Sequence, residues 1–108
     1  MTSSDASGAP LARCRVAITL EDRNGRGACL ERNVWLPFVP IRGVELGWAD
    51  PDKEPWSSDI VVSIYEIGAA LWHVELEDWY SNELDLPTMV AMLGPLWRVL
   101  GSPQTPAA

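Results

Sequence analysis

Residues 14–20, CRVAITL, alternate with period two. Cys14, Val16, Ile18 and Leu20 share one face, and Arg15, Ala17 and Thr19 the other. One apolar face at that period predicts a half-buried strand. In the following EDRNGRGACLERNVWLPF, Asn24-Gly25 and Gly27 offer the positive φ that a hairpin needs. A three-residue loop at 25–27, with Gly27 left-handed, pairs Asn24 with Ala28. It sets Ile18 opposite Val34, Val16 opposite Leu36 and Cys14 opposite Phe38. Pro37 and Pro40 cannot donate to a ladder, so this second strand is an edge or is bulged there. Val44, Leu46 and Trp48 alternate in a short third strand, and residues 49–58, ADPDKEPWSS, read as a polar loop.

Residues 59–80 predict a second hairpin. Glu66-Ile67-Gly68 suits a three-residue loop with Gly68 left-handed. Ile64 then faces Ala70, Val62 faces Trp72 and Ile60 faces Val74, all on the core face. The back of the sheet carries Trp35, Val39, Val61, Tyr65 and Leu71, apolar enough for an interface or a pocket wall.

After Ser81-Asn82 the period changes. Leu86, Met89, Val90, Leu93, Leu96, Trp97 and Leu100 recur at helical spacing, with Asp85 as a cap and Pro87 in the first turn. Gly94-Pro95 predicts a kink, or two short helices over 87–93 and 95–100. Between Pro87 and Leu100 only Thr88 and Arg98 are polar. A helix apolar all round is normally buried all round, and one sheet covers one side of it. Burying a further ~300 Å² of apolar surface contributes roughly 7 kcal/mol before entropic costs. The expectation is therefore a homodimer, with Met89, Met92, Leu96 and Val99 at its interface. The fold class that follows is α+β: a mainly antiparallel sheet of four or five strands with a C-terminal helix, kinked or broken, packed on one face.

The chain has 108 residues, which allows one domain, expected over 11–101 between disordered tails at 1–10 and 102–108. A hydrophobic fraction of 47% excludes a wholly disordered chain. The net charge is −7, unevenly spread: residues 1–42 hold six Arg against four acids, and residues 43–108 hold two bases against eleven acids. This balance excludes a duplex nucleic-acid binder, which needs a basic face. It predicts instead a solubilising surface or a docking face for a basic protein partner. No uncharged apolar stretch is long enough to span a bilayer. The start, MTSSDASGAP, lacks the basic and apolar runs of a secretory signal. Cys14 and Cys29 match no zinc or redox spacing and lie far out of register on adjacent strands, so both read as reduced. Together these features point to the cytoplasm.

Six tryptophans stand beside one Phe and two Tyr. Indoles suit core packing, interface anchors and ligand walls alike. Trp72 and Trp97 fit the core, Trp56 sits in a polar loop, and Trp35 and Trp79 fall on the back face or its rim. A ligand cavity between sheet and helix would draw on Trp35, Tyr65, Trp72 and Trp97. His73, Glu75 and Glu77 line one strand face, but no second histidine completes a zinc set and no nucleophile motif accompanies them. Asp50, Asp52 and Glu54 lack the glycine and distal glutamate of a calcium loop. No catalytic residue, metal or cofactor is expected.

At LPFVPIRGVELG (36–47) and YEIGAALWHVELEDW (65–79) the chain resembles small uncharacterised bacterial proteins of the kind carried on mobile gene cassettes. That resemblance brings no activity and no site residue with it. The functional expectation is a non-enzymatic interaction protein, homodimeric, whose acidic surface meets a protein partner. The alternative is a small-ligand binder with a tryptophan-lined cavity.

Overall fold

The computed structural model describes residues 11–100; the expected tails lie outside the described residues, as does Gly101. The chain forms β1 (Ala12–Glu21), β2 (Gly27–Leu36), β3 (Glu45–Trp48), β4 (Trp56–Glu66), β5 (Leu71–Leu76), β6 (Trp79–Tyr80), one helix α1 (Leu86–Leu93) and β7 (Arg98–Leu100). The strands lie in the order β3-β4-β5-β1-β2-β7, with β6 also on β1. This corrects the expected fold class. The sheet has seven strands and is mixed, because β1 runs parallel to both β5 and β6. The helix is short and is followed by a strand, so it is not a C-terminal helix on an antiparallel sheet. Period-two alternation marks a strand but not the direction of its neighbour. Here β2 takes one edge of β1 as a hairpin, and the chain returns through β3 and β4 to the other edge.

The two hairpins keep their strands but not their expected registers. In the first, Cys14 faces Val34, Val16 faces Arg32 and Ile18 faces Leu30, four residues from the expected pairing. The loop is longer because Asp22 organises it. Its Oδ1 accepts the N–H groups of Asn24 and Arg26, each at 2.8 Å. Gly25 (φ 77°), not Gly27, takes the left-handed position, and Gly27 sits in β2 opposite Glu21. An even shift preserves which face each residue uses, so Cys14, Val16, Ile18 and Leu20 are all buried as their alternation requires. In the second hairpin the turn spans 67–70, and Ala70 rather than Gly68 has positive φ. The register also slips between Ile60 and Val62. A bulge of one residue reverses the faces beyond it. Ile60 stays in the core, while Ile64 is 59% exposed and Tyr65, still exposed, shares a face with Trp72, with ring centres 4.9 Å apart.

No second helix forms at 95–100. Gly94 closes α1 by donating its N–H to Val90 O, and Pro95 has no N–H to continue the ladder. Trp97 turns inward, and β7 pairs antiparallel with β2, Val99 opposite Leu30. The sheet curls until its two ends meet. Trp48 on β3 meets Trp97, beside β7, at 5.0 Å. Arg32 reaches in from β2, its guanidinium 5.0 Å from the Trp48 ring centre, and is held by Asp50 through two bonds of 2.8 and 3.0 Å. The core inside this curl includes Ile18, Leu20, Leu30, Ile60, Leu76, Met89 and Leu93. Both cysteines are free. Cys14 lies in the core, where burial pushes its thiol pKa up, and Cys29 faces Thr19 on the neighbouring strand. No helix of the described residues is long and apolar enough to cross a membrane.

Candidate functional site

β4 serves two neighbours. From Ile60 onward it pairs with β5, but residues 56–59 run with β3 alone. Past Leu76 the chain leaves β4 in turn and stays with β1 alone, with Trp79 opposite Leu20. The sheet therefore forks below the last link, a bond of 2.9 Å from Glu77 N–H to Asp59 O. Helix α1 lies beside the fork, and the space between is a cleft of about 780 Å³.

Trp56 and Trp79 stand in its walls, Ile18 and Leu93 contribute apolar surface, and Thr88, Ala91 and Met92 come from α1. Its charged lining is lopsided. Asp52, Glu54, Glu77 and Asp78 supply four carboxylates against one cation, Lys53. That cation is already engaged, because its ammonium donates to Ala91 O at 2.9 Å. Trp56 is held from behind by Trp48, stacked at 5.7 Å, and by Trp97 at 5.8 Å. An indole fixed by two others offers a preformed flat wall, so little ordering entropy is lost when something docks on it.

The helix wall is anchored by two carboxylates. Asp85 caps α1, accepting the Thr88 N–H at 2.9 Å, and its bonds to Thr88 hold its pKa below the ordinary aspartate value. Asp22 reaches across from the first hairpin, and its Oδ2 accepts the Leu86 N–H at 2.9 Å. Burial alone would raise the Asp22 pKa, but its bonds to the N–H groups of Arg26, Asn24 and Leu86 outweigh that and lower it. The loop before β4 is tied by Asp50 to Arg32 and by Lys53 to α1, which leaves Asp52 and Glu54 at the rim.

None of the four tryptophan and tyrosine residues expected to bind a ligand lines this cleft. Trp35 is exposed on β2, opposite Arg13. Tyr65 and Trp72 pair with each other away from the fork. Trp97 is buried against Trp48 and backs Trp56 without lining the cleft. Of the residues expected at a dimer interface, Met89 is fully buried, Met92 lines the cleft, and Leu96 and Val99 are exposed. His73 Nε2 lies 2.7 Å from Glu66 Oε1, an exposed pair. No group of three or more metal-ligating side chains occurs among the described residues. The cleft indoles were visible in the sequence as the tryptophan in the acidic loop and the one directly after Glu77-Asp78. Their company with carboxylates was the available signal.

No protein-family model, no curated protein and no solved structure matches the chain. The functional reading rests on geometry and charge.

Proposed function

We propose that the protein is a non-enzymatic binding protein whose cleft receives a basic segment of a protein partner. The observation that carries this is the pairing of two indole walls with four carboxylates around a cleft whose single cation is tethered to α1. An ammonium or guanidinium group is attracted both by the face of an indole and by carboxylates, and its alkyl stem covers apolar surface. Phosphate-bearing partners meet the opposite field. The same proposal includes a cytoplasmic location, supported by two free thiols, and homodimerisation through the exposed Leu96 and Val99. The size of the cleft favours a small organic cation as the alternative occupant.

The test is fluorescence anisotropy with a labelled heptapeptide alternating lysine and valine. Binding is expected to weaken as salt rises. A variant combining Asp52→Asn, Glu54→Gln, Glu77→Gln and Asp78→Asn should lose at least about tenfold in affinity, the scale of one or more charge-assisted contacts. Equal binding of a glutamate and valine peptide would refute the proposal. Tetramethylammonium binding without peptide binding would select the small-cation reading.

A further inference from the structure

Resting on that reading, we infer that the basic segment binds extended, as an added strand that pairs with the open edge of β4 at Ser57. Backbone groups along a strand face its two neighbours alternately. Ile60 faces β3 and its approach: its N–H donates to Val44 O at 2.9 Å and its O accepts the Gly43 N–H at 2.7 Å. Asp59 faces the other way, its O taking the Glu77 N–H. Two residues earlier, Ser57 therefore turns its N–H and C=O to the side where β5 would continue, and there the sheet has forked into the cleft. By that alternation neither group enters the β3–β4 ladder, and no loop bond reaches either among the described residues. The Ser57 hydroxyl is turned to Glu45 on β3. What Ser57 offers the cleft is its backbone.

An open strand edge inside a cleft is a template for strand addition. Main-chain bonds supply affinity there, and the surroundings of alternate side chains supply selectivity. Trp56 and Ser58 flank Ser57 and both line the cleft, so a strand laid against this edge passes along the indole wall. Its lysine or arginine side chains reach the rim at Asp52, Glu54, Glu77 and Asp78. Charge selects the occupant. Residues 1–10 and 101–108 of the chain contain no lysine or arginine, so neither end supplies the complement of the rim.

The experiment uses the full chain and the same lysine and valine heptapeptide. Ser57→Pro removes the N–H that faces the cleft, which makes no bond within the described fold, and proline is tolerated at an open strand edge. Ser57→Ala removes the hydroxyl and keeps that N–H. Strand addition predicts that Ser57→Ala binds like the parent chain, and that Ser57→Pro loses about tenfold, the scale of one hydrogen bond with its neighbours displaced. A peptide N-methylated at alternate nitrogens should show the same loss on the unaltered chain, which keeps the test decisive should Ser57→Pro not fold. If the methylated and plain peptides bind equally, strand addition is overturned while the cleft remains a binding site. If neither binds the unaltered chain, both readings fall together.

Discussion

The carboxylate of Asp22 joins two parts of the chain that are 64 residues apart in sequence. One oxygen shapes the β1–β2 turn and the other holds the first turn of α1. Its pKa is lowered in the fold, so between the folded value and the ordinary value of 3.8 the unfolded chain binds the extra proton. The stability it supplies is complete above that ordinary value and is lost as pH falls through the folded one. Asp85 acts with the same sign. Asp22→Asn keeps a similar shape and one acceptor oxygen, but its NH2 places donors where the second carboxylate oxygen accepts an N–H. The variant should unfold at lower urea than the parent at pH 7, and the gap should narrow at a pH below 3.8, as the fall toward the lowered folded pKa removes that contribution. Urea midpoints at the two pH values provide the check, and a constant gap would show that charge is not the cause. Asp22 shows why the register was hidden in the sequence. The NGRG run has the glycines of a tight loop, but the turn is chosen by a carboxylate before it, whose second oxygen answers a helix not yet reached. The faces of β1 were legible because any even shift preserves them. The faces beyond Val61 were not, because nothing local in IVVSIY marks which residue is extra.

At the scale of elements, the decisive position is Gly94. It has φ 98° and ψ 172°, a region open essentially to glycine alone. A Cβ there would also stand 3.3 Å from Lys53 Cε. This residue ends α1, lets Trp97 turn back into the core, and packs against the side chain that ties the rim loop to the helix. Gly94→Ala should cost about 1–3 kcal/mol from backbone strain, read as a lower urea midpoint with an unchanged slope. An unaltered midpoint would mean that the chain relaxes to another helix ending. In the sequence, Gly94-Pro95 showed that something breaks here. It could not show a full stop followed by a strand, because Trp97, Val99 and Leu100 suit a short helix and a short strand equally well. β7 becomes a strand only because β2 offers it an edge at Cys29, Leu30 and Glu31.

At the scale of the whole molecule, the fork and the curl both arise from pairings between segments distant in sequence. That is why the cleft was legible only as ingredients: an acidic loop with one indole, and an acidic turn with another. Self-association, too, is a matter of how much apolar surface the folded chain leaves uncovered. A long helix apolar on every side would need a second copy to cover it. The helix instead spans eight residues, buries Met89 and Leu93, and gives Met92 to the cleft. What remains for a partner copy is the segment carrying Leu96 and Val99, 55% and 41% exposed, beside β7 at the end of the sheet order. An end strand with exposed apolar side chains is a template for its own twofold copy. Light scattering in the micromolar range should therefore give twice the chain mass of 11.9 kDa. Leu96→Glu with Val99→Glu should return the mass to that of one chain, because like charges would then meet across the twofold, and peptide binding in the cleft should persist. A single-chain mass before substitution would remove the dimer and leave the cleft untouched. A dimer that survives both glutamates would move the contact to a different apolar surface. The candidate is the group of Phe38, Val39 and Ile41, whose loop is fastened to β4 by the bond from Ser63 Oγ to Pro40 O.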